Sequence, residues 1–530
     1  MMKRQVILCF CIVVALTTFG LGLGPPVIVA AEKTATVPEE DVQVLASGPI
    51  HEAFAQAVAL DPEPGITAPK APPELIEEIP PDQKPEGDVQ WIPGYWAWDD
   101  ERNEYIWVSG MWRVPPPGRQ WVPGYWNPVT QGYQWIPGYW ASVTAKEVEY
   151  LPEPPESVEV GPSSNAPSPD YIWIPGCWIW HYGRYAWRPG YWATVYPDWM
   201  WVPAYYSWTP RGYIFVSGYW DYTVIHRGVL FAPVFFPRVH LGLGFAFSPG
   251  FVIDLNIFND ALFVRHRYHH YYYGDYYAPR YYTRGIYPWF SLHARRVVYD
   301  PIYAHQRWYH RNDKDWENRL EARFRDRREH EGSRPPQSFD HRTGPDKTGG
   351  SSQPARPNSV MPLDPDRKTK AIASRFRPLS ERERREFTQR EKEVRTYQKQ
   401  RQTSETQRQN MPAQKALKKP EPDKERFSRS PIVDRSNQQA IRKKAPPAQQ
   451  ELPKPNPDIE PLMRQKDLSR SWDNSQKSGD REQKPEVRGM RPMDKVKQPG
   501  DRDEGLEALM QQPNDRQQRG DSRRQRWNER

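Results

Sequence analysis

Three histidines form the most reactive cluster in this chain: His266, His269 and His270, with Asp275 a few residues on. Imidazole nitrogens and a carboxylate are ligands that zinc or copper accept. The spacing is not the usual one for zinc, so a polar strand edge decorated with His and Tyr is the preferred reading. No metal and no other cofactor is expected. Other catalytic patterns are missing from the sequence: there is no His-Glu-x-x-His, no Gly-x-Ser-x-Gly and no Cys-x-x-Cys. Gly242-Leu-Gly244 puts Phe247 where a dinucleotide-binding loop needs its third glycine. Asp99-Asp100-Glu101 reads as a solvated turn. Cys177 sits among aromatic residues, where a small apolar filler fits better than a reactive thiol. An enzyme is not expected.

Aromatic rings are the other source of chemistry. They can stack on sugars or on apolar segments of a partner. Most of the tryptophans belong to one motif, Trp-x-x-Gly-x-Trp. It starts at Trp91, Trp107, Trp121, Trp135, Trp173 and Trp187 and ends at Trp96, Trp112, Trp126, Trp140, Trp178 and Trp192. Degenerate copies run Trp201 to Tyr206 and Phe215 to Trp220. Successive starts differ by 16, 14, 14, 38, 14, 14 and 14 residues. The long interval holds an insert at about 147–169, so the array is two blocks of four. A repeat must bury something, so the twelve Trp of the complete copies are expected to be core. The Tyr at the fifth motif position is the better candidate for a partly exposed binding row: Tyr95, Tyr125, Tyr139, Tyr191 and Tyr219.

A 14-residue unit of this composition builds a strand and a turn. Tyr133-x-Trp135 alternates with period two, and Asn127-Pro128 to Gly132 forms turns. The expected fold is all-β, an antiparallel meander of aromatic repeats with extra strands. Pro137 cannot donate in a central strand. Gly138 tolerates positive φ, so the pair is expected to form a bulge that brings Trp135 and Trp140 to one face.

The flanks differ from the repeats. The chain has 530 residues and a formal charge of +8. Residues 1–310 carry −8 and residues 311–530 carry +16. The first part holds 20 of the 23 Trp. Lys3 and Arg4, the apolar run from Val6 and the Val29-Ala30-Ala31 site mark residues 1–31 as a signal peptide. Export to the periplasm, envelope or exterior follows, with no membrane span in the mature chain. Residues 32–90 read as an acidic, Pro-rich linker, within which His51 to Val58 has the pattern of two helical turns. Residues 221–310 read as an aromatic, His-rich β region that extends the sheet. Residues 311–530 read as a basic, low-complexity disordered tail with two helices. One spans Asp315 to Glu331 with the stripe Trp316, Leu320 and Phe324; the other, Glu381 to Arg401, has almost no apolar face.

The six complete motifs, often with Tyr two residues earlier, resemble the bacterial WXXGXW (YXWGXW) repeat family over about 91–220. The likeness is to planctomycete-type secreted members. It implies export and a repeat architecture, and it carries no catalytic residues. The degenerate copies, with Ala204, Tyr206 and Phe215 in motif positions, suit the end of an array. The expected function is that of an exported, non-enzymatic envelope protein acting as a structural or interaction module. The alternative is a glycan- or cell-wall-binding module. Envelope proteins or surface glycans are the expected partners, and nucleic acid is not.

Overall fold

The computed structural model describes residues 42–237, 246–265, 268–291, 298–336, 360–363, 376–406 and 423–433. Every described residue belongs to one compact unit, which falls within residues 1–462. The leader, His266 and most of the basic tail lie outside the described residues.

The repeats form antiparallel β-structure, and two motifs make one hairpin. In the first hairpin Trp91 faces Trp112 and Trp96 faces Trp107. In the second Trp121 faces Trp140 and Trp126 faces Trp135. In the third Trp173 faces Trp192 and Trp178 faces Trp187. The degenerate copies make the fourth, with Trp201 on Trp220 and Tyr206 on Phe215. The meander is thus resolved into four hairpins. Seven Trp–Trp pairs cross the strands with ring centroids 5.1–5.4 Å apart, edge-on or tilted. Each such pair contributes about 0.5–1.5 kcal/mol beyond the area it buries.

Every motif strand is interrupted at its third and fourth residues, which are Pro-Gly in five copies, Ser-Gly at Ser109-Gly110 and Ser217-Gly218, and Pro-Ala at Pro203-Ala204. The second hairpin, for instance, runs Arg119–Val122, Tyr125–Val129, Gly132–Ile136 and Tyr139–Ser142. A bulge is expected at this step, but the strand breaks there instead, ending at Ile136 and resuming at Tyr139. Gly138 does not adopt positive φ; within the hairpins that conformation falls at the tips, at Asn103, Tyr182, Gly132, Gly183 and Gly212. The motif glycine is required by close approach instead. A β-carbon at Gly138 would lie 2.8 Å from Val122 O and hard against the Trp121 ring.

The segment 42–90 is extended, as its prolines require, yet it does not run as a linker. Leu45, Ala53, Phe54 and Ala68 are fully buried. Short pairings stitch it to distant strands: Val44 with Val234, Gly48 with Tyr273, Val58 with Tyr299, and Ala68 with Tyr133. Most of its apolar side chains are drawn into the core, although Ala71 is exposed and Val42, Leu60, Leu75 and Ile79 are half-buried. The expected helix at His51 to Val58 is a single turn, closed by Phe54 N–H on His51 O.

Strands from 228–273 extend the sheets, with Val229 on Trp112 and Val234 on Trp107. The helix Trp316–Glu329 buries Trp316, Leu320 and Phe324 as its stripe demands. The tail is not wholly separate from the fold. Phe376–Pro378 pairs with Gln83–Pro85, Asp423–Arg426 pairs with Glu147–Tyr150, and Ile432 is fully buried. The helix Glu381–Thr406 lies across the first two hairpins.

One ion cluster sits inside the core. Arg113, at the end of the first hairpin, donates to both oxygens of Asp221 at 2.7 and 2.6 Å. Asp221 closes the fourth hairpin, and Arg227 lies 3.2 Å from the same carboxylate. All three side chains are buried, and Arg113 and Arg227 also donate to Ala53 O and Phe54 O. The three groups tie both repeat blocks to the N-terminal segment.

Candidate functional site

Breaking a hairpin ladder at Pro-Gly frees backbone groups on both strands, and buried backbone groups must find partners. Each broken hairpin therefore offers a seat: glycine N–H groups and an indole N–H on one side, proline and glycine carbonyls on the other. In the first hairpin the Glu78 carboxylate fills the donor side. It accepts from Gly94 N–H at 2.7 Å, Gly110 N–H at 2.8 Å and Trp107 Nε1 at 3.1 Å. Burial pushes the Glu78 carboxyl up to about 7, against the pull of those donors, and nearby Glu391 adds to the rise.

Glu52 fills the second seat, accepting from Trp135 Nε1 at 2.7 Å and Gly138 N–H at 3.0 Å, and it also pairs with His270. Burial alone would raise its carboxyl, but His270 and these donors hold it below the usual range. Glu159 fills the third, on Gly176 N–H and Trp173 Nε1. The fourth hairpin has Ala204 for glycine, and its Trp201 and Trp220 indole N–H groups are buried without an acceptor. There the carbonyl side is met by Arg119, which donates to Ser217 O and Gly218 O at 3.0 and 2.8 Å.

The carbonyl side of the second hairpin takes groups from two directions. Gln56 donates to Gly138 O at 2.9 Å. Arg401 of the long helix donates to Pro123 O at 2.9 Å and Pro137 O at 3.0 Å, while Gln398 reaches Gly124 O. The charged helix face that lacked apolar residues is thus a row of partners for freed backbone groups.

The straps that carry Glu78 and Glu159 are themselves repeated. Pro72-Pro73-Glu74 and Pro154-Pro155-Glu156 each precede their block by the same interval. Glu74 O accepts Trp96 Nε1 and Glu156 O accepts Trp178 Nε1, both at 2.9 Å. Tyr105 and Tyr185 hydroxyls donate to Lys70 O and Pro152 O. Trp126 Nε1 reaches Trp96 O at 2.9 Å, and Tyr206 Oη reaches Trp178 O at 3.0 Å. Each block is therefore one strap and two hairpins, and the insert at 147–169 contains the second strap. Sequence reasoning missed this; the recurring Pro-Pro-Glu was the available signal.

The expected binding row is largely inside. Tyr95, Tyr125, Tyr139 and Tyr219 are buried, and Tyr191 is half-buried. Each buried ring packs on a neighbouring element: Tyr95 stacks on Trp135 at 4.9 Å, and Tyr125 Oη donates to Glu405 at 2.7 Å. Of the repeat tryptophans, Trp91, Trp96, Trp107, Trp112, Trp121, Trp135, Trp140, Trp178 and Trp187 are buried. Trp126, Trp173 and Trp192 are half-buried. His269 and His270 do not converge on one point: His270 pairs with Glu52, while His269 Nδ1 lies 3.0 Å from Ala57 O. Among the described residues no three metal-ligating side chains cluster. Burial pushes the Cys177 thiol up, and Arg188 donates to its sulfur at 3.0 Å.

No curated protein and no solved structure matches the chain. A family model, the WXXGXW repeat (2 copies), matches residues 90–113, 121–141, 169–193 and 197–220, one two-copy match for each hairpin, so residues 90–220 carry the WXXGXW repeat.

Proposed function

We propose that this chain is an exported, non-enzymatic cell-envelope protein that works as a structural or interaction module. The observation that carries the reading is the direction of the aromatic rings. Nine of the twelve Trp in complete motifs are buried against other parts of the same chain. The carboxylates that meet the motif glycines likewise serve the fold: Glu52, Glu78 and Glu159 are each bound by backbone and indole N–H groups. The leader pattern of residues 1–31 supports export. No helix among the described residues is long and apolar enough to cross a membrane. Fractionation of bacteria expressing the tagged full chain tests the reading. The expected result is tagged protein in the envelope fraction with residues 1–31 removed. Full-mass protein confined to the cytoplasm would overturn it.

A second reading, cell-wall glycan binding, is favoured by the third hairpin alone. Trp173, Trp180, Tyr191 and Trp192 are half-buried there, and Tyr182 at the tip is 91% exposed. Aromatic side chains of that kind stack on sugar rings. Cosedimentation of the purified chain with peptidoglycan, weakened by Tyr182→Ala, would favour this reading. Absence of cosedimentation removes it.

A further inference from the structure

Three of the four hairpins take a further strand on the outer edge of their second motif. In the first, Val234 pairs with Trp107. In the second, Thr67 and Ala68 pair with Gln134 and Tyr133, and Trp135 N–H donates to Ile66 O at 2.8 Å. In the fourth, Leu151 and Tyr213 exchange both backbone bonds, at 2.8 and 2.9 Å. Each added segment comes from elsewhere in the chain and has a proline next to its paired residues: Pro233, Pro69 and Pro152.

The third hairpin differs. Its strand Arg184–Arg188 pairs with Cys177–His181, and among the described residues no further strand lies on its outer edge. By motif position Tyr185 matches Tyr213, and Trp187 matches Trp135. Backbone groups alternate between the two edges of a strand, so the N–H and C=O of Tyr185 face outward as those of Tyr213 do. The Trp187 ring is buried against Trp178 at 5.2 Å, but that contact lies on a sheet face and not at the edge. The other face is less covered than in the sibling hairpins. Ile106 and Ile214 are buried, whereas Ala186 at the same position is half-buried. Val108, Ile136 and Val216 are buried, whereas their counterpart here is the half-buried Arg188. Arg188 donates to the Cys177 sulfur at 3.0 Å. Arg184 and the residue opposite it, His181, are exposed.

We propose that the outer edge of Arg184–Arg188 docks an extended acidic segment of a partner protein, which adds to the third hairpin as the strand its siblings take from their own chain. An unpaired edge offers a row of backbone donors and acceptors, and main-chain bonds there supply affinity for an extended peptide. Charge then selects the sequence. Arg184 and Arg188 stand on one face of the strand, where they meet alternate carboxylates of an added strand. The segment that fills the edge of the fourth hairpin already has this chemistry: Glu147 and Glu149 precede Tyr150, Leu151 and Pro152. A second copy pairing edge to edge would set arginine against arginine across the ladder, which is unfavourable. Such docking rests on the interaction reading above, whereas failure to dock would leave the location found by fractionation untouched.

Calorimetric titration of the full chain with the peptide Glu-Val-Glu-Tyr-Leu-Pro, the sequence of residues 147–152, tests it. Saturable binding is expected, and the Tyr185 amide should gain protection from hydrogen exchange in the complex. Arg184→Glu combined with Arg188→Glu, in a protein whose near-ultraviolet dichroism is native, should weaken binding about tenfold or more. A peptide N-methylated at its leucine lacks one main-chain donor and should bind as poorly. No saturable binding to the wild type overturns the proposal. Equal binding by the double variant also overturns it, because the peptide would then sit at another edge, such as that of the fourth hairpin. Equal binding of the N-methyl peptide does so too, since charge would attract it without strand addition. A Tyr185 amide as protected in the free chain as that of Tyr213 would show the edge already filled. Peptidoglycan retained by the wild type and lost by the double variant, with no peptide bound, would assign the two arginines to a glycan instead.

Discussion

Replacing Gly138 by alanine is expected to destabilise the protein by about 3 kcal/mol, the upper end of what one added methyl costs in a packed interior. The added carbon would enter the Trp121 ring and approach Val122 O to 2.8 Å. Neither neighbour can retreat. Trp121 is buried against Trp140 at 5.2 Å, and Val122 is paired with Tyr139 across the ladder. The Gly138 amide also donates to Glu52, so a shift of the backbone breaks a buried charge-assisted bond as well. Gly332 provides the control. Nothing lies within 4 Å of a β-carbon there, and no positive φ is recorded. Gly332→Ala should change stability by less than about 0.5 kcal/mol. Urea denaturation followed by tryptophan fluorescence separates the two outcomes. Equal effects at the two sites would contradict close approach as the reason for the motif glycine.

Asp221→Ala is expected to cost about 3–5 kcal/mol, the range for removing one partner of a buried ion pair. The carboxylate is the counter-ion of two buried guanidinium groups, Arg113 at 2.6 Å and Arg227 at 3.2 Å. Without it, two like charges face each other with only neutral partners, chiefly backbone carbonyls. Asp221→Asn keeps one acceptor and should fall between wild type and alanine. Added salt should not rescue the alanine variant, because ions screen buried charges poorly. Thermal unfolding at low and high ionic strength measures both effects. A loss below about 1 kcal/mol, typical of an exposed pair, would show that the cluster is solvated rather than central.

Much of this molecule can be read from local pattern. The repeat, its strands and turns, and the two tail helices depend on neighbours a few residues apart, so period and composition reveal them. Trp316, Leu320 and Phe324 form a stripe on one helix, and the structure buries all three. What escapes is long-range. Which Trp faces which is decided by pairing motifs two by two, and a 14-residue period is equally consistent with a running meander. Glu52, Glu78 and Glu159 look like solvated residues of Pro-rich segments. Their role appears only when Gly94, Gly110, Gly138 and Gly176 are seen to lack ladder partners. The helix at 381–406 shows almost no apolar face because Arg401 and Gln398 meet carbonyls, for which hydropathy has no signal. The fifth-position Tyr suit a partly exposed row, yet Tyr95, Tyr125, Tyr139 and Tyr219 are buried where another element packs, as Tyr95 is on Trp135.

The most direct test concerns the seats themselves: hydrogen exchange of the Gly94 and Gly110 amides in the full chain and in Glu78→Ala. Both amides donate to the Glu78 carboxylate at 2.7 and 2.8 Å. In the wild type they should exchange as slowly as the cross-strand ladder amides of the same hairpin. In Glu78→Ala both should lose protection, while Gly138, seated on Glu52, keeps it. Rapid exchange of Gly94 and Gly110 in the wild type, or protection that survives Glu78→Ala, would contradict the claim that the broken hairpins are completed by the chain's own carboxylates.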